Sequence, residues 1–206
     1  APLHVINPLR SNFVSEKVDL KNKDVIDVAC GGGLLVEALN KFGANVTGID
    51  ISDVAINTAQ IHAKETNCDV TYIHGEAEDL LPEKKEQFDV VTCLEAIEHV
   101  PDPQQLVKTC SELCKPGGTI VFSTINRNPK SFLFAIIGAE YILNLLPKGT
   151  HEFKKFLKPS ELSNMMRNSN LEVKEIIGMS YNPLTKKYWL GKDVDVNYMI
   201  HAEKSK

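Results

Sequence analysis

Apolar residues in this chain fall into two kinds of run. Short β-branched stretches occur at Asp24-Val-Ile-Asp-Val-Ala29, Asn45-Val-Thr-Gly-Ile49, Asp69–His74, Phe88–Leu94 and Gly118–Thr124, each bounded by turn residues. Such runs predict buried strands. Between them, apolar positions recur at helical spacing. Leu35, Ala38, Leu39 and Phe42 precede the stop residue Gly43, and Val54, Ile56, Ala59 and Ile61 follow a Ser52-Asp53 cap. A third periodic stretch runs from Asp102 to Leu113 and ends at the turn Lys115-Pro-Gly-Gly118. Alternation through residue 124 predicts a parallel sheet with right-handed crossovers and helices on both faces. Beyond it, Pro159–Arg167 predicts a helix, and Leu171–Gly178 with Val194–His201 predict an antiparallel strand pair at one edge. No repeat or low-complexity linker divides the chain, so a single domain over 1–206 is expected.

Composition narrows the classes. Of 206 residues, 43% are apolar and 24% charged, which excludes disorder for the bulk of the chain. The net charge of −4 lacks the basic face that nucleic acid requires, so no nucleic-acid partner is expected. Cys30, Cys68, Cys93, Cys110 and Cys114 are odd in number and hold no C-x-x-C pair, which points to a reducing compartment. The chain opens on Ala1-Pro2 rather than Met, which is consistent with a lost N-terminal piece. Its first thirty residues hold no apolar core of a signal peptide.

The chemistry begins where the first strand meets the first helix, at Asp27-Val-Ala-Cys-Gly31-Gly32-Gly33. Glycines let a backbone approach a ligand, and the helix start offers unpaired N–H groups. Asp50, at the end of the second strand, is placed to accept both hydroxyls of a ribose. A dinucleotide fits less well, because its G-x-G-x-x-G/A pattern needs a small residue where Val36 stands. Asp27 would also repel a pyrophosphate, yet suits the ammonium of a cationic amino-acid moiety. S-adenosylmethionine is therefore the expected cofactor.

These residues resemble the class I methyltransferases, whose motif runs roughly D-x-G-x-G-x-G, with Ala29 here at the first glycine. The resemblance implies a Rossmann-like, mostly parallel seven-stranded α/β sheet with an antiparallel edge pair and helices on both faces. It further implies cofactor contacts from Arg10, Asp27, Ala29, Gly31, Gly33, Asp50, Ile51, the Glu76-Ala77 loop and Leu94. Alanine is expected to keep an ordinary φ at position 29. Five further segments narrow the match: His4-Val-Ile-Asn-Pro-Leu-Arg10, Glu98-His-Val-Pro-Asp-Pro103, Ser123-Thr-Ile-Asn-Arg127, Pro147-Lys-Gly-Thr-His151 and Asp195-Val-Asn-Tyr198. Together they resemble the ubiquinone-biosynthesis O-methyltransferases over nearly the whole chain. That family implies methylation of polyprenyl catechol and demethylubiquinol intermediates, and a ubiquinone-biosynthesis complex as a partner.

Methylating a phenol requires removing its proton or stabilising its anion, since its pKa is about 10. Glu95, Glu98 and His99 follow the fourth strand at i, i+3 and i+4, one face of a helical turn. Two readings stand. The trio holds Mg²⁺ or a similar divalent ion beside a catecholate, or His99 is a general base oriented by Glu95 or Glu98.

The run Ser131–Leu146 is apolar but for Ser131, Glu140 and Asn144. As a helix it would reach about 24 Å, short of a ~30 Å hydrocarbon core. A buried helix is one reading. Arg127, Lys130, Lys148, Lys154, Lys155 and Lys158 around it favour another, a lid over about 127–158 that contacts a membrane surface. The enzyme would then sit peripherally on the cytoplasmic face of a bacterial inner membrane, or on the matrix side of the mitochondrial one had a presequence been removed. His151 and Tyr181-Asn182 read as turn residues more readily than as substrate contacts.

Overall fold

The computed structural model describes residues 2–131, 155–182, 185 and 187–206. Its first element is a helix that the strand–helix alternation does not announce, α1 (Pro2–Lys17). Pro8 sits inside it, where a missing N–H and ring bulk disfavour helix. Burial compensates: Ile6, Phe13 and Val14 join the core beside the first strand, and Asn7 Nδ2 donates to Leu34 O at 2.8 Å. The helix is thereby tied to the residue just after the glycine loop.

The alternating part then follows as β1 (Asp24–Val28), α2 (Leu34–Asn40), β2 (Asn45–Asp50), α3 (Asp53–Glu65) and β3 (Thr71–His74). After a 3-10 turn (Ala77–Leu80) come α4 (Leu81–Lys84), β4 (Phe88–Leu94), α5 (Pro103–Leu113) and β5 (Cys114–Ile125). The chain closes with α6 (Pro159–Arg167), β6 (Leu171–Asn182), β7 (Lys187–Gly191) and β8 (Asn197–Lys204). Ser52 caps α3 by accepting from Ala55 N at 3.2 Å. Its buried face is Ile56, Ala59 and Ala63, so the expected positions Val54 and Ile61 point to solvent.

The eight strands among the described residues form one sheet, ordered β3-β2-β1-β4-β5-β8-β6-β7. The first five are parallel, and β8 runs antiparallel to both β5 and β6. The expected seven strands and edge pair become eight strands and an antiparallel trio. The extra strand is β7, which forms a hairpin with β6 because β6 continues past Gly178 to Asn182. Tyr181 and Asn182 therefore belong to a strand, not a turn. Apolar side chains on both faces make two cores, one under α5 and α6, the other under α1 and α2.

Of the expected lid, residues 132–154 and His151 among them lie outside the described residues. At its edges Arg127 pairs with Glu161, and Lys130 lies 3.2 and 3.0 Å from Asp193 and Asp195. These two cations are thus already matched by acids. No helix among the described residues is long and apolar enough to cross a membrane.

Candidate active site

Strand order reverses between β1 and β4, and ligands of open α/β sheets bind outside the carboxyl ends at such a point. A cavity of about 340 Å³ opens there, lined by Ala29, Asp50, Ile51, Glu76, Ala77 and His99 among others. The loop beside it has unusual backbone. Gly31 and Gly33 have φ of 53° and 79°, and Ala29 has φ of 58°. Alanine thus adopts the left-handed conformation at the first glycine position, contrary to expectation, at a cost of roughly 1–2 kcal/mol. A Cβ added to Gly31 or Gly32 would meet nothing within 4 Å, so the loop presents bare backbone. Gly33 has no such room, because an added Cβ would overlap the Tyr72 ring and hydroxyl. Bulky Val36 is accommodated from the opposite side: Gly48 of β2 lacks the side chain that would collide with it.

Asp50 is locked in place by the same loop. Its Oδ2 accepts from Gly31 N at 2.9 Å and its Oδ1 from Ser52 N at 2.8 Å. Each carboxylate oxygen retains a lone pair for a hydroxyl from the cavity. Ile51, 72% exposed, is an apolar face on the rim. A carboxylate for ribose, an apolar wall for adenine and a bare glycine loop fit an adenosine-bearing cofactor.

Arg10, Asp27, Gly31, Gly33 and Leu94 do not line this cavity. Asp27 is buried beneath it, where the register opposite Thr92 delivers a hydroxyl to Oδ1 at 2.6 Å. Burial pushes its carboxyl up to about 7, against the pull of Thr92 and Arg10 and with the push of Asp50. Arg10, also buried, reaches across from α1, with its Nη2 3.0 Å from Glu95 Oε1. Its Nε has no hydrogen-bond partner. A cofactor carboxylate would find that donor unspent.

The trio after β4 is not arranged as one helical face. Glu95 has φ of 55°, and only Ile97–His99 forms a short 3-10 turn. Glu95 Oε1 accepts from Ser123 Oγ at 2.8 Å and Asn197 Nδ2 at 2.9 Å, besides pairing with Arg10. The β4–β5–β8 registers align these groups, with Leu94 opposite Ser123 and Ile125 opposite Asn197. Glu98 is buried and accepts from Thr124 Oγ1 at 2.8 Å. Burial first, and the charge of Glu95 second, push its carboxyl up to about 7. His99 is exposed on the cofactor cavity instead.

Among the described residues, no group of three His, Cys, Asp or Glu is placed to hold a metal ion. As arranged, the trio does not fit a divalent ion: an arginine neutralises one carboxylate, and the other is turned to a threonine. Val100, Pro101, Asp102 and Gln105, which also line the cavity, were not singled out from the sequence, although three of them lie in the Glu98–Pro103 segment. The roles of Ser123, Thr124 and Asn197 also emerge only when the strands are aligned.

Fold and cavity together define a class I S-adenosylmethionine-dependent methyltransferase. Solved structures agree on the fold. Magnesium protoporphyrin IX methyltransferase from Synechocystis with bound SAH superposes with a TM-score of 0.72 at 18% identity, over 97% of this chain and 82% of that one. The YcgJ protein of Bacillus subtilis gives 0.72 at 16% identity, over 97% and 99%. In sequence, the family described as a methyltransferase domain matches residues 26–122. The ubiquinone biosynthesis O-methyltransferase of Pseudomonas syringae is 59% identical over 201 residues, 98% of this chain and 87% of that protein. That of Marinobacter nauticus is 57% identical over 203 residues, 98% and 85%. The chain belongs to the ubiquinone biosynthesis O-methyltransferases.

Proposed function

We propose that this enzyme transfers a methyl group from S-adenosylmethionine to phenolic hydroxyls of polyprenyl catechol and demethylubiquinol intermediates, at two steps of ubiquinone synthesis. The observation that carries this reading is the Asp50 cavity at the sheet's switch point, set in a chain 59% identical to a named member of the family across 98% of its length. Asp50 holds the ribose hydroxyls, Ile51 and the Glu76-Ala77 loop flank the adenine, and Leu94 borders the methionine side. Arg10 meets the cofactor carboxylate and Asp27 its ammonium. The sulfonium supplies a methyl cation equivalent. The phenol oxygen attacks the methyl carbon in line, the C–S bond breaks, and its electron pair stays on sulfur as a thioether. The phenol proton passes to a base, for which His99, exposed on the cavity and adjoining the buried carboxyl of Glu98, is the candidate.

The same proposal places the enzyme at a membrane surface, on the cytoplasmic side of a bacterial inner membrane, because its acceptor is dissolved in lipid. The apolar run 131–146 and the lysines around it support that reading. The test is incubation with S-adenosylmethionine and a short-chain polyprenyl catechol, read as a mass gain of one methylene. A chelator arm decides the divalent ion. Full turnover in chelator supports His99 as the base, whereas loss restored by Mg²⁺ establishes that Glu95 and Glu98 rearrange around an ion. Absence of any methylated product with cofactor bound would refute the function itself.

A further inference from the structure

A second cavity, of about 310 Å³, lies at the same carboxyl edge and shares no lining residue with the first. The register explains its position: Met179 of β6 and Ile125 of β5 flank Asn197 at the start of β8. Its walls include Ile6 of α1, Met179 and the hairpin aromatics Tyr181, Tyr188 and Trp189, with Ser180 and the Lys130–Asp193 pair also at its lining. Tyr181 and Tyr188 stand directly opposite in the hairpin, with ring centroids 4.4 Å apart and planes tilted by 32°. Trp189 is 47% exposed, an unusual degree for the chain's largest apolar side chain.

Asn197 adds a buried polar group to this chamber. Its Nδ2 donates to Glu95 Oε1, so the amide orientation is set by chemistry: a carbonyl there would face a carboxylate. That orientation leaves Oδ1 buried with no hydrogen-bond partner. A buried acceptor without a donor costs about 1–3 kcal/mol, which a ligand O–H would recover. The chamber thus pairs aromatic walls with a buried, unpartnered acceptor beside the Glu95 carboxylate, and Ile6 joins it to the helix that carries Arg10. A catechol has the matching surfaces, a flat apolar ring and an O–H beside the one to be methylated.

We propose that this cavity is the acceptor subsite, in which the catechol ring lies against Tyr181, Tyr188 and Ile6 and donates the hydroxyl that is not methylated to Asn197 Oδ1. The assignment rests on the phenol-methylating reading above. It makes the β6–β7 hairpin, rather than the cofactor loops, the determinant of acceptor affinity. It also gives Asn197 a role in positioning, since the same amide holds Glu95.

Trp189 is the chain's only tryptophan, so its emission reports on this chamber alone. The enzyme, saturated with S-adenosylhomocysteine to prevent turnover, is titrated with a short-chain prenyl catechol. A saturable change in emission is expected, and none on adding S-adenosylhomocysteine by itself. Tyr188→Ala should raise the acceptor KM about tenfold through the lost aromatic contact while S-adenosylhomocysteine affinity stays within about twofold. Tyr188→Phe should restore most of the KM. If calorimetry shows the catechol bound, but emission is flat and the Tyr188→Ala KM is unchanged, the subsite is overturned and the function stands. If S-adenosylhomocysteine binds but the catechol neither binds nor is methylated, the function fails and takes the subsite with it.

Discussion

The parallel half of the sheet and its antiparallel edge each border a cavity at the carboxyl edge but are shaped by different means. Around β1, β2 and β4 the backbone itself is distorted: Ala29, Gly31, Gly33 and Glu95 all have positive φ. Charge is buried there too, in Asp27 and Glu98. The β6–β7 hairpin has ordinary strand backbone, a half-exposed surface and aromatic side chains. Its ion pairs, such as Lys174 with Glu172 and Glu203, lie near the surface, where they contribute little. The contrast teaches that the cofactor side is fixed by conformation, and the acceptor side by interchangeable side chains. Substitutions should therefore act on stability and cofactor in the first region, and on acceptor affinity in the second.

The largest effect that would break this contrast is at glycine. Gly33→Ala adds a methyl at φ 79° against Tyr72, so left-handed strain and steric overlap combine. The expected destabilisation is about 3–5 kcal/mol, with cofactor binding lost alongside. Gly191→Ala at the end of β7 meets only the Trp189 ring at 3.7 Å and should stay within about 0.5 kcal/mol. Denaturant midpoints of the two variants test the pair. Equal losses would show that the hairpin is as conformationally constrained as the loop.

This difference also governs what the sequence discloses. Strands buried on both faces write themselves as continuous apolar runs, so β4 is legible to the residue. Asp50 and the glycine loop are legible for the same reason, since they sit at the ends of such runs. β7 is not, because Lys187-Tyr-Trp-Leu-Gly191 is half-exposed and only pairing with β6 makes it a strand. α1 is hidden by Pro8 and held by tertiary contacts that no local pattern records. The Glu95–Ser123–Asn197 cluster joins positions 102 residues apart at its ends, which only sheet register brings together. The helical spacing of Glu95, Glu98 and His99 misled because Glu95 has a left-handed φ.

Asp27 sharpens the contrast through pH. Its carboxyl is raised to about 7 by burial, above its unfolded value of 3.8. The folded protein therefore binds a proton more tightly than the unfolded chain between those values. Stability should be highest below about pH 4 as far as this group is concerned, fall as pH rises toward 7, and level off above. The span is on the order of 4 kcal/mol. Asp27→Asn removes the ionisation and keeps an acceptor for Thr92. Without cofactor, the variant should be more stable than the parent at pH 8, the gap narrowing as pH falls and closing only below about pH 4, while its S-adenosylmethionine affinity falls about a hundredfold. Lower stability at pH 8 would mean that Arg10 compensates the buried charge fully.

The smallest effect is at Ala29, where strain can be relieved without touching a packed side chain. The residue is exposed toward the cavity, so its methyl has little to lose. Its φ of 58° costs roughly 1–2 kcal/mol relative to glycine, part of which glycine returns as extra entropy in the unfolded chain. Ala29→Gly should therefore stabilise the protein by about 0.5–1 kcal/mol, seen as a higher urea midpoint with an unchanged m-value. A lower midpoint would show that the methyl packs against the loop, and that left-handed backbone here is supported by contacts rather than tolerated as strain.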